Sequence, residues 1–151
     1  MCESVKTALS RRDPFLLVTE INLLLASLPH QYYEKNKRNE GFYSSKIFLL
    51  FYIIGLDPLA EKSGNPGASD FVINYEEKSW VIEVKVSPNK DKSRKIANDA
   101  LNQIKEKNYA GAYRDPVSLG LVIDDDTRSV TWWECRGGMG ENPDDIINAT
   151  D

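Results

Sequence analysis

Three charged residues have a spacing that could support chemistry. Lys85 follows Glu83 by two positions, and Asp70 lies twelve intervening residues before Glu83. From Ile82 to Val86 aliphatic and charged residues alternate, so a strand would place Glu83 and Lys85 on one face and the aliphatic side chains on the other. If Asp70 begins a partner strand, a hairpin would bring its carboxylate beside that of Glu83.

Two neighbouring carboxylates favour a cation between them, because otherwise they repel each other and raise each other's pKa. Mg²⁺ suits such a pair, since it binds one or two carboxylates together with carbonyl oxygens and water. Lys85 would then lie beside the ion. A Glu-x-Lys pair on a strand face is also typical of a solvated salt bridge, and this interpretation stays open at this point.

Composition narrows the classes of protein. The chain has 151 residues, 41% of them hydrophobic and 28% charged, which is typical of one globular domain. No stretch reaches the roughly 20 apolar residues of a membrane helix, and the N-terminus lacks a signal-peptide pattern, so we expect a cytoplasmic protein with no membrane partner. One histidine, His30, and two distant cysteines exclude zinc clusters and most histidine-based triads.

Positive charge is concentrated just after the Glu-x-Lys pair. Residues 85–107 contain seven cations and three carboxylates, a local balance of +4, although the whole chain has a net charge of -4. Such a basic stripe can bind phosphates even on an acidic protein. A solvated helix face explains the same charges equally well.

The hydrophobic pattern predicts three helices and five strands. The helices are Pro14–Leu28, Glu40–Ile54 and Ser93–Tyr109, and the strands are Leu59–Lys62, Asp70–Tyr75, Trp80–Val86, Val117–Ile123 and Ser129–Glu134. The first dozen residues are predicted to be frayed, residues 76–79 to form a hairpin loop, and residues 137–151 to form a flexible acidic tail after a domain of residues 1–136. A helix between the third and fourth strands predicts a crossover, and hence a mixed sheet flanked by helices.

The order of these motifs resembles the PD-(D/E)XK nuclease superfamily. Gly67-x-x-Asp70 followed by Ile82-Glu83-Val84-Lys85 is similar to its core motif. Ala100 to Tyr109 resembles the alanine-rich helix with a Gln-x5-Tyr motif in a bacterial branch often appended to AAA-ATPase-like proteins. Glu40 to Ser44 resembles the helix whose glutamate faces the active site. The resemblance extends from about Phe15 to Trp133 and depends on the order of the motifs.

The resemblance implies an α/β fold with a restriction-endonuclease-like αβββαβ core. It also implies a site in which Asp70, Glu83 and the Val84 carbonyl bind Mg²⁺, for which Mn²⁺ can substitute. Lys85 would orient or deprotonate the attacking water. Glu40 would assist through a metal-bound water, and Gln103 would steady Lys85 or touch the nucleic-acid backbone.

The implied activity is metal-dependent hydrolysis of phosphodiester bonds, with DNA as the expected substrate. The residues expected to bind nucleic acid are Lys90, Lys92, Arg94, Lys95 and Tyr109. A core aromatic role for Tyr109 is about as probable as a binding role. Of the adjacent Trp132 and Trp133, at least one should be core, and the other could stack on bases.

The chain departs from the family pattern at two positions, and the missing arginine together with the overall acidity motivates an alternative. Ala68 stands near the usual arginine, and Ser69 replaces the proline that usually precedes the aspartate. Neither change removes a metal ligand. The alternative is a catalytically silent nuclease-fold module that binds nucleic acid or protein within a larger bacterial protein or toxin. A homodimer, or a role as the companion domain of a larger protein, is also compatible with the sequence.

Overall fold

The computed structural model describes residues 1–29, 40–60, 70–87, 90–106 and 116–145. The described helices are α1 (Cys2–Arg11), α2 (Pro14–Ser27), α3 (Glu40–Ile53) and α4 (Ser93–Glu106), and a short 3-10 helix (Lys90–Lys92) precedes α4. The strands are β1 (Leu59–Ala60), β2 (Asp70–Tyr75), β3 (Lys78–Ser87), β4 (Val117–Asp124) and β5 (Ser129–Arg136). His30, the link Gln31–Asn39, the turn at 63–67 and Tyr109 lie outside the described residues.

The predicted boundaries of α2 and α3 are confirmed, and local chemistry explains them. The Asp13 side chain accepts a hydrogen bond from the Leu16 N–H at 3.1 Å, which caps the N-terminus of α2, and Pro14 occupies the first turn. Gly55 follows the C-terminus of α3 and adopts a φ of 86°, a conformation that residues other than glycine rarely adopt. Both helices therefore begin or end where capping residues occur.

The prediction that the first dozen residues are frayed is wrong. Residues 2–11 form α1, and its Val5, Ala8 and Leu9 are buried. These residues recur at helical spacing and make a narrow apolar stripe, which a mostly polar segment obscures. The Leu9 carbonyl also accepts a hydrogen bond from the indole N–H of buried Trp80 at 3.3 Å. Tertiary packing therefore stabilises a helix that composition alone does not indicate.

The strands form one mixed sheet in the order β1-β2-β3-β4-β5. β3 and β4 are parallel, and the other neighbouring strands are antiparallel. The connection from β3 to β4 contains α4, as a crossover between parallel strands requires. The α/β fold with a central mixed sheet flanked by helices is thus confirmed, and it is consistent with a restriction-endonuclease-like architecture.

The β2–β3 hairpin is tighter than predicted. Only Glu76 and Glu77 form the turn, with φ values of 48° and 64°, whereas Lys78 and Ser79 already pair with β2. Two central residues with positive φ match the twist of antiparallel strands. The predicted loop of residues 76–79 is therefore corrected to a two-residue turn. Its sequence lacks the usual glycine or asparagine, which is why the sequence did not reveal it.

The sheet has two different faces. One face carries Phe71, Ile82 and Val84, and it forms a continuous apolar core with helices α1, α2 and α3. The other face is covered by α4, and its described apolar cluster is small and consists of Val72, Val81, Leu101 and Ile104. Strand alternation places Glu83 and Lys85 on this second face, as the sequence predicted.

The chain continues beyond β5 along the domain. The Met139 N–H donates to the Arg12 carbonyl at 2.7 Å, and the Cys135 N–H donates to the Glu141 carbonyl at 2.6 Å. Residues 137–145 are therefore hydrogen-bonded to the folded part, while the boundary proposed after residue 136 stays a prediction. Within the described ranges no helix is long and apolar enough to cross a membrane.

Candidate active site

The strand register aligns the two carboxylate residues of the expected site. Asp70 is the first residue of β2, and its Cα partner on β3 is Glu83. Directly opposite residues of an antiparallel pair project to the same face, with their Cβ atoms about 5 Å apart. The backbone therefore brings Asp70 and Glu83 together, as the twelve-residue spacing predicted.

Glu83 and Lys85 form a close ion pair beneath the surface. Lys85 Nζ lies 3.2 Å from Glu83 Oε1, and the side chain of Lys85 is 18% exposed whereas that of Glu83 is 1% exposed. This burial is not typical of a solvated salt bridge, because a buried carboxylate loses its hydration. Because burying a carboxylate costs free energy of desolvation, a role in solubility alone does not explain this ion pair.

A glycine next to Glu83 allows α4 to cover the site closely. Gly120 on β4 is the Cα partner of Glu83. A Cβ atom at Gly120 would lie 2.9 Å from the Ala97 carbonyl oxygen and 3.0 Å from Ala100 Cβ. The sequence interpretation missed Gly120, although a glycine inside an apolar strand run is a signal of close backbone approach.

Helical periodicity places Gln103 on the flank of α4 that faces β2 and β3. Arg94 lies against β5, with Nε 3.9 Å from Glu134 Oε1. Gln103 is nine residues later, which is two and a half turns, so it projects from the opposite flank. Its partly buried side chain makes no hydrogen bond to another described residue. A role for Gln103 in steadying Lys85 stays a prediction.

Glu40 is the first residue of α3, which packs on the apolar face of the sheet. The rings of Phe48 and Phe51 on this helix contact Phe71. Glu40 is half-buried and forms no ion pair with any described residue. The assistance of Glu40 at the site therefore also stays a prediction.

The predicted basic residues differ in their surroundings. Lys92 and Lys95 are exposed and make no ion pair within the described part of the chain, whereas Lys90 begins the 3-10 helix. Arg94 pairs with Glu134 and Asp144, at 3.9 Å in both cases. Part of the predicted positive stripe is therefore neutralised by acidic residues that are distant in sequence.

The family comparison agrees with this geometry. The family profile of the PD-(D/E)XK nuclease superfamily matches residues 38–133, a range that contains the aligned carboxylates, Lys85 and all of α4. The chain belongs to this superfamily. The AAA-appended branch suggested by the sequence is a finer assignment that the match does not address.

One relative of this PD-(D/E)XK chain is a protein of Azotobacter chroococcum mcd 1 described as an uncharacterized protein in the vnfD 5′ region. It is 33% identical over 120 residues, which cover 76% of this chain and 22% of the relative. The chain thus spans about a fifth of the length of this relative. No solved structure matches the chain.

The PD-(D/E)XK assignment allows the metal prediction to be tested against the donor atoms present. Asp70 and Glu83 are opposite each other, and Val84 offers a carbonyl next to Glu83. All three donors are oxygen, which suits a hard divalent cation that keeps several waters. Among the described side chains no cluster of three metal-binding residues forms. The donor set therefore fits the divalent ion that this superfamily typically uses.

The two adjacent tryptophans have different surroundings. Trp133 is 3% exposed and lies in the apolar core, which confirms that at least one of the pair is structural. Trp132 is half-buried on the α4 face, where its indole N–H donates to Glu134 Oε1 at 2.9 Å. Only Trp132 is therefore accessible for stacking.

Proposed function

We propose that this chain is a metal-dependent nuclease that hydrolyses phosphodiester bonds, with DNA as its substrate. The observation that carries the proposal is the buried Glu83 carboxylate, aligned with Asp70 across the hairpin and 3.2 Å from Lys85 Nζ. Membership of the PD-(D/E)XK superfamily supports hydrolase chemistry on nucleic acid. Fold alone does not fix function, so the proposal depends on these three residues.

In this proposal Asp70, Glu83 and the Val84 carbonyl hold Mg²⁺, or Mn²⁺ in its place. The bound ion supplies Lewis-acid polarisation of the phosphate and lowers the pKa of the attacking water. Lys85 Nζ, 3.2 Å from Glu83 Oε1, would orient that water and stabilise the negative charge that develops on the phosphate oxygens. Water adds to phosphorus and releases one proton to the solvent, the P–O bond to the leaving sugar oxygen breaks, and that oxygen takes up a proton from the solvent.

The test is cleavage of single-stranded and duplex DNA, linear and circular, with Mg²⁺, with Mn²⁺ and with EDTA. Asp70→Asn, Glu83→Gln and Lys85→Met should each lower the cleavage rate by at least about a hundredfold. Glu77→Gln is the matched control, since Glu77 is an exposed carboxylate at the turn of the same hairpin. It should cleave at the parent rate.

Two results would contradict the proposal. One is cleavage by Glu83→Gln at the parent rate, which would place the hydrolysis outside this site. The other is binding of DNA without cleavage under any metal, which would favour the catalytically silent module. Cleavage of RNA in preference to DNA would support the same mechanism with a different substrate.

Dimerisation and a companion domain stay predictions that gel filtration and the full-length gene would test.

A further inference from the structure

A second concave site lies beside α4, away from the carboxylates. A pocket of about 490 Å³ opens where the N-terminus of α4 meets β5. Its lining residues are Asp91, Ser93, Arg94, Thr131 and Trp132. Its volume is in the range of pockets that bind small organic groups.

Two hydroxyl groups of this pocket lack hydrogen-bond partners. Ser93 Oγ and Thr131 Oγ1 are both buried, and neither makes a hydrogen bond to any described residue. Ser93 as a whole is only 4% exposed. Buried polar atoms are nearly always hydrogen-bonded, and the exceptions call for a specific explanation. A ligand with polar edges would satisfy both hydroxyls.

An irregularity in β5 places Thr131 in the pocket. Val122 pairs with Trp132 and Ile123 pairs with Val130, so Thr131 is an extra residue without a Cα partner on β4. Such bulges redirect side chains and are common beside functional sites. The bulge therefore brings the Thr131 hydroxyl and the Trp132 indole to the same end of β5.

Trp132 forms a fixed flat wall of the pocket. Its N–H is held by Glu134, and the Arg94 guanidinium lies 5.6 Å from the centre of its ring. Arg94 is in turn held by Glu134 and Asp144. An aromatic ring and a guanidinium plane fixed in this way are surfaces on which unstacked nucleobases bind.

The charges of the pocket favour a base over a phosphate. Arg94 is the single cation among the lining residues, and its charge is already paired with Glu134 and Asp144, while Asp91 adds a carboxylate to the lining. A phosphate would meet this negative potential, whereas a neutral base would not. The two hydroxyls can accept or donate hydrogen bonds at a base edge.

The pocket lies on the same sheet face as the carboxylate site. Lys85, Val122 and Trp132 occupy one register row on β3, β4 and β5. Because neighbouring strands are nearly 5 Å apart, Trp132 is about 10 Å from Lys85 along the row. A strand of nucleic acid can span this distance with one or a few nucleotides.

We propose that this pocket binds one unpaired nucleobase of the strand whose phosphate is held at Asp70, Glu83 and Lys85. The base stacks on Trp132, and its polar edge hydrogen-bonds to Ser93 and Thr131. The inference rests on the proposed nuclease function and adds a substrate class to it. A base inside a duplex cannot enter the pocket without unpairing, so single-stranded or locally unpaired nucleic acid is the substrate.

The test is a binding measurement without turnover. A short fluorescein-labelled single strand, a strand of the same length with abasic positions, and a duplex are titrated in EDTA and followed by fluorescence anisotropy. The parent protein should bind the base-containing strand about tenfold more tightly than the abasic strand. Trp132→Ala should lose this preference, and Trp132→Phe, which keeps a ring, should retain most of it.

Ser93→Ala provides a test that does not disturb the aromatic wall. It should weaken binding of the base-containing strand about fivefold and leave the abasic strand unaffected. Because Ser93 Oγ has no hydrogen-bond partner among the described residues, this substitution should not lower the thermal midpoint. If Trp132→Ala fails to fold, as judged by circular dichroism, Ser93→Ala and Thr131→Val decide the question.

The proposal is overturned if the parent binds base-containing and abasic strands equally, or if Ser93→Ala and Trp132→Ala bind as the parent does. These outcomes are separate from failure of the nuclease function. If the protein prefers base-containing strands through Trp132 but never cleaves DNA, the result supports the base-binding pocket and contradicts the nuclease activity. If cleavage does not depend on Trp132 or Ser93, the result supports the nuclease activity and contradicts the base-binding pocket.

Discussion

Ile82 and Glu83 are adjacent on β3 and both fully buried, yet they face two different environments. Ile82 belongs to the large apolar core that the sheet forms with three helices. Glu83 faces a single helix across small residues and lies beside a lysine. One face of the sheet therefore supplies the stability of the fold, which allows the other face to bury a charge that stability alone would disfavour.

The largest expected effect is a loss of folding stability when the apolar face is altered at Ile82, the residue adjacent to Glu83. Ile82→Ala should lower the free energy of unfolding by about 2–5 kcal/mol, because it leaves a cavity in the main core. Ile82→Val, the matched control, should cost only about 0.5–1.5 kcal/mol. Urea denaturation measures both values. A loss for Ile82→Ala no larger than for Ile82→Val would show that this face is less tightly packed than the burial indicates.

The second prediction concerns the metal response of the charged face. If the site binds Mn²⁺, the ion should raise the free energy of unfolding by about 2.7 kcal/mol at a concentration a hundred times Kd. Glu83→Gln should abolish this gain, whereas Ile82→Val should keep it. Thermal melts with and without Mn²⁺ measure the difference. Equal stabilisation of Glu83→Gln would place the ion elsewhere.

The third prediction tests the close packing of α4 over Glu83. Gly120→Ala should lower the free energy of unfolding by about 1–3 kcal/mol, because the new methyl group meets the backbone of Ala97 and α4 must shift. Ser118→Ala is a suitable control, since it lies on the same strand and face and is half-buried. Its effect should stay within about 0.5 kcal/mol. Equal effects would mean that α4 can move without cost.

The smallest effect concerns an ionisable group on the apolar face. Burial raises the pKa of the Cys135 thiol from 9.0 to about 12. The neutral thiol is the form that the fold favours, so its contribution to stability is complete below pH 9 and is lost as the pH rises from 9 toward 12. By pH 10 this loss should be about 1.4 kcal/mol.

Replacing Cys135 with serine or alanine should remove this part of the pH dependence, and Cys2→Ser should leave it in place. A thiol reagent at pH 8 should label partly exposed Cys2 and spare Cys135 until the protein unfolds. Rapid labelling of both cysteines in the folded protein would contradict the assigned burial.

Sequence patterns predicted most of the sheet and helices α2 and α3, because these elements have strong periodicity and capping residues. They failed for α1, where only Val5, Ala8 and Leu9 mark the buried stripe, and for the Glu76–Glu77 turn, which lacks the usual turn residues. The core of the candidate site followed from alternation along β3. Strand register then aligned Asp70 with Glu83, which spacing suggests but cannot prove.

Other site features depend on contacts between distant segments. Sequence spacing could not show that Arg94 pairs with Glu134 and Asp144, that Gly120 admits α4, or that Ser93 and Thr131 meet in one pocket. These residues come from separate elements, and no local preference links them. Charge counted along the chain overestimated the free positive charge of α4 for the same reason.

The amino-acid sequence by itself determined the order of elements, the alternation that separates Ile82 from Glu83, and the motif that places the chain in the PD-(D/E)XK superfamily. These features depend on residue type and short spacing. The tertiary structure decided which charges are buried, which are neutralised and which face each helix covers. Those properties depend on the packing of segments far apart in the chain, because burial and electrostatic environment are set by neighbours in space.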